Sequence, residues 1–478
     1  MSEGVGGEPS HDGRQPGGRS VRSGRWRAIT FGVLVVALLG TAWSAVPWSP
    51  LGPAGPPVQP LPHVDFTAGQ LSTEAAFHAA LRPWTYSRLA LAVLVASALG
   101  FTPAGAWLIR RSGRLLRGGW AAQVVLGTAA LTSISLLVTL PLAMGAERVL
   151  RRYGLSTQNW SSWAVDTARG WAVSTVTTAL LLVVLVAIAR RWRRRWWLAG
   201  ALVAAGFVVA GSFVYPVVVE PLSNTFTAMP AGPQQRDLVR LAARDGLTVD
   251  EVLVADASRR TTAENAYVSG LGATRRIVVY DTLVTGASPR EVELVVAHEL
   301  GHVKAHDVRL GTTLGALAAA IAVVAGSWVL EDRGRGRRAL LRAAGVRGAA
   351  DPGVVALVLA LVTVGSLVSA PASTLVSRRI EARADVHALD LTRDVQGFAA
   401  MQRRLAVTNL SDLQPAWWRT AFFSTHPSAP WRIAMARAWA RQHGLPGPAP
   451  APGSVPTTLP ALLPASGAPA AVLVQPSE

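Results

Sequence analysis

Long apolar segments alternate with polar segments along this chain of 478 residues. A helix needs about 20 mostly apolar residues to cross a bilayer. Seven segments meet or approach that length, at roughly 28–47, 84–109, 120–146, 170–189, 196–219, 310–330 and 354–376. Because these segments carry almost no charge, they are not typical of the buried helices of a large soluble protein. The pattern predicts an all-α polytopic membrane protein with about seven transmembrane helices.

The polar segments between and around these spans contain shorter elements. An amphipathic helix is predicted at 235–245, strands at Glu251–Ala255 and Arg276–Tyr280, and a second helix from about Ser288. We divide the chain into a disordered basic N-terminus (1–26), a transmembrane region with spans one to five (27–220), a first globular part (221–308), a transmembrane hairpin with spans six and seven (309–376), a second globular part (377–443) and a disordered tail rich in Pro and Ala (444–478).

Composition narrows the possible partners. Half of the residues are hydrophobic, 15% are charged, and the formal net charge is +18. In a soluble protein such a charge would indicate nucleic-acid binding, but here the arginines cluster between apolar segments. We therefore expect the lipid bilayer as a partner and no nucleic acid. The chain has no cysteine, which excludes disulfides and thiolate metal ligands.

The string VVAHELGHVKAHD contains the pattern H-E-x-x-H on a predicted helix. His298 and His302 lie four residues apart, so both imidazoles point from one helix face and can bind one tetrahedral zinc ion. Glu299 lies beside the open coordination position, where a carboxylate can act as general base towards a water molecule. The motif predicts a zinc metalloendopeptidase with one Zn²⁺ per chain.

Zinc of this type needs a third protein ligand. A histidine six residues after His302 would indicate a metzincin, but Val308 occupies that position. A gluzincin takes a glutamate from a later helix, and Glu381 in the string SRRIEARAD is the candidate. Asp385 follows on the same helix face and can hydrogen-bond a ligand histidine from outside the metal shell. The alternative is that Glu381 is a surface carboxylate among neighbouring arginines.

These residues resemble the type I CAAX prenyl endopeptidase family and its relative, the bacterial heat-shock membrane metalloprotease. The resemblance rests on HELGH, PLSNTF, DASRRTTAENAYVSGLGATRRIVVYDTLV, SRRIEARAD and STHPSAPWRI, which lie within about residues 215–440. It implies that both globular parts form one gluzincin-like metalloprotease domain that contains a small β-strand element. The number of predicted spans agrees better with the prenyl endopeptidase branch.

The resemblance also implies roles for residues that spacing alone does not identify. Asn265, Ala266 and Tyr267 correspond to an edge strand that binds the substrate backbone; the alternative is a turn followed by an ordinary strand. His426 and Arg432 correspond to residues that stabilise the transition state, which for Arg432 competes with helix capping or an ion pair with Asp385. No prenyl-binding surface can be identified from the sequence.

Three functional hypotheses follow from these observations. The first is a membrane zinc endopeptidase that acts on membrane-associated or misfolded polypeptides, with CAAX-type processing of lipidated peptides as an alternative. The second is a sensor protease that cleaves one repressor, but the sequence after the last span contains no recognisable ligand-binding domain. The third is a transporter, which is disfavoured because ionisable residues are nearly absent from the spans.

The distribution of arginines predicts the orientation of the chain in the cell membrane. Arginines are frequent at the N-terminus and after spans two, four and six, whereas the opposite loops offer few. The positive-inside rule therefore places the N-terminus in the cytoplasm and the two globular parts on the exterior face. The family resemblance points to the opposite orientation.

A reporter fused after Glu478 tests this prediction. We expect alkaline phosphatase at that position to be active and a fluorescent protein that matures only in the cytoplasm to stay dark. The reverse pattern would place the globular parts in the cytoplasm.

Overall fold

A computed structural model describes residues 18–53, 55–116, 118–249, 251–269, 276–331 and 334–454. Its helices are α1 Gly18–Ala45, α2 Pro62–Asp65, α3 Ala68–Gly100, α4 Pro103–Gly113, α5 Trp120–Arg152, α6 Trp160–Arg191, α7 Trp196–Val214, α8 Glu220–Ser223, α9 Pro233–Arg244, α10 Asp281–Gly286, α11 Pro289–Lys304, α12 Asp307–Val329, α13 Arg335–Ala343, α14 Val354–Thr392, α15 Val395–Thr408, α16 Trp417–Phe423 and α17 Ala429–Gln442. Its strands are β1 Phe226–Ala228, β2 Glu251–Ala255, β3 Ala266–Ser269 and β4 Arg276–Tyr280.

The membrane part confirms the predicted polytopic fold. Within the described residues, six helices are long and apolar enough to span a bilayer, or seven if the bent pair α3 and α4 counts as one span. The two helices of that pair meet at 76°. The bend has a local cause, because Thr102 caps α4 and Pro103 follows at its first turn. The predicted span at 84–109 therefore crosses a break between two helices.

A four-stranded sheet lies in the first globular part, with strand order β1-β2-β4-β3. Strands β2 and β4 are parallel, and β1 and β3 pair antiparallel to them at the two edges. Ile277, Val278 and Val279 of β4 are fully buried in succession, as expected of a central strand with both faces covered. Strands β2 and β4 begin and end where the sequence predicted. Strand β3 forms one free edge of the sheet.

Helix α11 lies beneath this sheet and leads into the membrane hairpin. Ser288 starts the helix with a capping box, in which its hydroxyl accepts from the Glu291 backbone and the Glu291 side chain accepts from the Ser288 backbone. Helix α12 then leaves the globular part, and α14 returns to pack against α11. A buried core that includes Leu300, Leu389 and Phe398 joins α11, α14 and α15. The hairpin thus brings both globular parts together.

The ends of the chain differ from the proposed division. Helix α1 already begins at Gly18, so residues 18–26 are helical, while residues 1–17 and 455–478 lie outside the described part. Residues 444–454 pack on the globular part, where Gln396 donates to the Gly447 carbonyl (2.8 Å) and Ala451 donates to the Val64 carbonyl (2.9 Å). The first residues of the predicted disordered tail are therefore ordered by contacts with other parts of the chain, which the composition of the tail does not indicate.

The segment between α1 and α3 also belongs with the globular part rather than with the spans. The buried carboxylate of Asp65 pairs with Arg437 of α17, and Arg403 of α15 donates to the Asp65 carbonyl (3.1 Å). Val64 and Phe66 are buried beside it. Nothing in the local pattern of residues 46–67 indicates this packing, because the partners lie more than 300 residues away in the chain.

Candidate metal centre

Helix α11 and helix α14 bring three side chains with metal-binding atoms to one point. One turn of α11 separates His298 and His302, and their Nε2 atoms lie 3.2 Å apart. From α14, Glu381 places Oε2 3.3 Å from His298 Nε2 and Oε1 3.7 Å from His302 Nε2. Ligands about 2.0–2.1 Å from a tetrahedral zinc ion lie about 3.4 Å from one another. The observed spacing therefore fits the three protein ligands of such an ion.

The electrostatics of this point also fit a cation. Glu381 Oε2 is buried and has no hydrogen-bond partner among the described residues, which is unusual for a buried carboxylate. Burial would lower the pKa of His298, but interaction with the carboxylates of Asp385 and Glu381 outweighs it and raises that pKa to about 10. The arrangement thus stabilises positive charge between these side chains.

Both histidines are oriented by a second carboxylate. His298 Nδ1 lies 2.9 Å from Asp385 Oδ1, and His302 Nδ1 lies 2.9 Å from Asp307 Oδ2. Because an ionised carboxylate only accepts, each Nδ1 carries a proton, so Nε2 is the atom whose lone pair would face a metal in the neutral ring. Arg383 in turn pairs with Asp307. Sequence reasoning identified Asp385 but missed Asp307, although it ends the string HELGHVKAHD.

Glu299 faces a large cavity beside these ligands. The cavity has a volume of about 1220 Å³ and is lined by residues of α11, α14, α15 and the segment 411–432, with Glu299 and His298 in its wall. Burial raises the pKa of Glu299. A carboxylate in such a position holds a proton more readily than one in water, which suits a group that takes and returns a proton.

His426 and Arg432 line the same cavity. His426 Nε2 lies 3.3 Å from Glu381 Oε1, and its side chain is 60% exposed. Arg432 donates from Nε to Asp385 Oδ2 (2.8 Å), and its Nη2 lies 3.2 Å from His298 Nδ1. The ion pair with Asp385 that the sequence offered as an alternative for Arg432 is thus present. It fixes the guanidinium beside His298.

The residues expected on an edge strand lie at the start of β3. Asn265 is exposed and lines the cavity, whereas Ala266 is buried and Tyr267 packs edge-on against Tyr280, with ring centroids 6.4 Å apart. One edge of β3 is hydrogen-bonded to β4, and the other edge is the free edge of the sheet. The edge that faces away from β4 begins beside Asn265 at the cavity.

Comparison with known families covers most of the chain. Residues 231–440 match peptidase family M48, and residues 85–225 match the family described as CAAX prenyl protease N-terminal, five membrane helices. The metalloprotease YhfN of Bacillus subtilis (strain 168) is 32% identical over 308 residues, which cover 64% of this chain and 71% of that protein. The chain belongs to peptidase family M48.

Other relatives of this M48 chain agree with its architecture. A CAAX prenyl protease 1 homolog of Oryza sativa subsp. japonica is 32% identical over 235 residues, which cover 48% of this chain and 53% of that protein. The crystal structure of S. mikatae Ste24p superposes with a TM-score of 0.70 over 86% of this chain and 99% of that chain, at 20% identity. The structural likeness establishes the fold. Family and membrane helices together make this M48 chain a multi-span membrane metalloprotease.

We predict that Glu381→Ala lowers zinc affinity at least about 100-fold, since loss of an outer partner alone costs about 10 to 100-fold. Asp385→Asn should lower zinc affinity by only about 10 to 100-fold. The measurement is zinc per chain after dialysis against graded zinc buffers, together with the thermal unfolding midpoint. Glu293→Ala is the matched control, because Glu293 pairs with Arg290 (2.7 Å) on the far part of α11. Full zinc occupancy in Glu381→Ala would remove Glu381 from the ligand set.

Proposed function

We propose that this chain is a zinc endopeptidase in which His298, His302 and Glu381 hold one zinc ion per chain. The observation that supports this most strongly is the position of the Glu381 carboxylate. Its Oε2 is buried without a hydrogen-bond partner among the described residues and lies 3.3 Å from His298 Nε2, while its Oε1 lies 3.7 Å from His302 Nε2, distances that suit tetrahedral zinc. A zinc ion held by these three side chains would acidify a water molecule and polarise the scissile carbonyl. The remaining work falls to the side chains around it.

Glu299 serves as general base and then as general acid. It follows His298 directly in α11 and lines the cavity that would hold the substrate. It accepts one proton from the attacking water and returns it to the amine nitrogen of the departing peptide. Its raised pKa supports this role, because proton transfer is most efficient when the pKa lies nearer the working pH.

Arg432 and His426 stabilise the negative charge that develops on the carbonyl oxygen. A fixed donor aimed at developing charge is worth more than a mobile one, because it needs no reorganisation during the reaction. Asp385 fixes Arg432 by two hydrogen bonds. His426 is held less firmly, through the contact of its Nδ1 with Thr425 Oγ1 (2.9 Å). Its Nε2 lies 3.3 Å from Glu381 Oε1.

The substrate is an extended polypeptide, and its backbone lies along the free edge of β3 at Asn265, Ala266 and Tyr267. Addition of a strand to an exposed sheet edge is a common mode of peptide recognition. The cavity volume of about 1220 Å³ exceeds the roughly 300–1,000 Å³ of typical small-ligand pockets. Leu375 of α14 lines the cavity just where this helix leaves the apolar segment, which suits membrane-associated or misfolded polypeptides as substrates.

CAAX-type processing of lipidated peptides is the second candidate. It is favoured by the names of several relatives, which are CAAX prenyl protease 1 homologs, and by the match of residues 85–225 to the CAAX prenyl protease N-terminal family. Both candidates use the same hydrolytic side chains and differ only in the substrate that enters the cavity.

We also propose that the catalytic part lies on the exterior face of the cell membrane. Arg190 contacts the Ala350 carbonyl (3.1 Å) and Arg110 contacts the Gly345 carbonyl (3.2 Å), so three arginine-rich segments meet at one end of the bundle. Helix α14 starts at this end and reaches Glu381 only after its apolar segment. The basic end is therefore opposite the metal-binding side chains, and the positive-inside rule makes it cytoplasmic.

Glu299→Gln tests the proposed chemistry. Glutamine keeps the size of the side chain but cannot take a proton, so we expect zinc content to be unchanged and cleavage to fall by at least about 100-fold. Turnover is measured on casein and on a farnesylated peptide that ends in a CAAX sequence. The control is Glu293→Gln on the same helix. Wild-type rates in Glu299→Gln would refute the role of Glu299, and cleavage of the farnesylated peptide alone would select the second candidate.

A further inference from the structure

The side chain of Asn409, at the end of α15, binds the backbone just before β3. Its Nδ2 donates to the Glu264 carbonyl (3.0 Å), and its Oδ1 accepts from the Glu264 N–H (2.8 Å). A carboxamide has a donor and an acceptor side by side, so it can pair with one residue as a neighbouring strand would. Asn409 also lines the cavity, next to Asn265.

The pairing of β3 with β4 shows towards which edge Glu264 points. Tyr280 of β4 donates to the Asn265 carbonyl (2.9 Å), so the backbone groups of Asn265 face β4. In an antiparallel pair, successive residues point alternately towards the partner strand and away from it. The N–H and C=O of Glu264 and Ala266 therefore lie on the free edge, where a substrate backbone would pair. The Ala266 N–H donates there to Asn265 Oδ1 (2.9 Å), a hydrogen bond that a substrate strand would replace. Asn409 occupies the first of these two positions.

The loop that begins at Asn409 is held in place by contacts with α3, so it can block the extension of a substrate strand. Leu410 has a left-handed backbone with φ of 47°, which is uncommon for a non-glycine residue. Its carbonyl lies 3.0 Å from Nε2 of His78, and Asp412 accepts from Arg82 (2.9 Å), so α3 holds the loop at two points.

On the strand side, the buried Glu264 carboxylate is gripped by Arg404 of α15 through two hydrogen bonds of 3.1 and 2.8 Å. Glu264 is thus fixed by Arg404, and the loop that follows Asn409 is fixed by His78 and Arg82.

We propose that Asn409 is a positioning residue that sets the register of the bound polypeptide, an inference that rests on the proposed peptidase function. Because Asn409 pairs with Glu264, a substrate strand can pair with Ala266 and the residues after it but cannot extend past Asn409. The substrate residue opposite Ala266, and with it the bond placed beside Glu299, is then fixed. The register of a strand moves in steps of two residues when its facing side chains are kept.

Removal of the carboxamide should therefore shift the cleaved bond. The probe is a casein-derived peptide that the wild-type chain cuts at a single bond, and products are identified by mass spectrometry. In Asn409→Ala we expect a second cleavage displaced by two residues, with the ratio of displaced to original product raised at least about tenfold. Zinc content should be unchanged.

Asn409→Asp provides a second variant that keeps the size of the side chain. It replaces the donor to the Glu264 carbonyl by an acceptor, and we expect kcat/KM at the original bond to fall about tenfold. The matched control is Asn159→Asp, since Asn159 caps α6 through Oδ1 and aspartate keeps that acceptor. This control should keep the wild-type rate and position.

A merely structural role for Asn409 would lower the rate without moving the bond. Unchanged cleavage positions in Asn409→Ala, with wild-type zinc content, would overturn the register inference and leave the proposed peptidase intact. If Asn409→Ala does not fold, a wild-type kcat/KM in Asn409→Asp has the same meaning. A wild-type chain that loads zinc but cleaves no peptide would refute the proposed function itself.

Discussion

The close packing of α11 against α14 is the contact on which the arrangement of His298, His302 and Glu381 depends. Gly301 lies at this contact, and a side-chain carbon in its place would come within 3.1 Å of the Ala384 backbone and 3.0 Å of His387 Cβ. Glycine on one helix and alanine on the other let the two backbones approach. Only at this separation can a carboxylate from α14 reach the two imidazoles of α11, because each side chain extends only a few ångströms from its helix.

The same contact creates an electrostatic problem that the neighbouring side chains solve. Glu381 and Asp385 are buried carboxylates on adjacent turns of α14, and such charges are costly unless they are paired. Arg432 pairs with Asp385, His298 lies against both carboxylates, and His302 lies against Glu381. On the other side, Arg383 pairs with Asp307 behind His302. Each carboxylate thus has either a cationic partner or a place beside the proposed metal.

The sequence predicted the elements whose signals are local. The spacing of His298, Glu299 and His302 determines one helix face, and the apolar segments indicate their own spans. Strands β2 and β4 are short β-branched runs, and the structure has them at the predicted residues. The break between α3 and α4 was missed because the apolar character continues across Thr102, although the Thr-Pro pair there is a typical helix start.

Residues whose partners are distant in the chain could not be predicted in this way. Asn409 and Asp65 are ordinary polar residues in sequence, and their roles follow only from contacts with Glu264 and Arg437 across the fold. Asp307 lies next to the motif, but the turn between α11 and α12 that brings it to His302 depends on the left-handed conformation of His306. The local pattern does not specify that conformation.

X-ray absorption at the zinc edge of the purified, zinc-loaded chain tests the proposed centre most directly. We expect four light ligands at about 2.0–2.1 Å, with the multiple-scattering signature of two imidazoles and the remainder oxygen. A signature of three imidazoles would contradict it, because His426 would then be a ligand in place of Glu381.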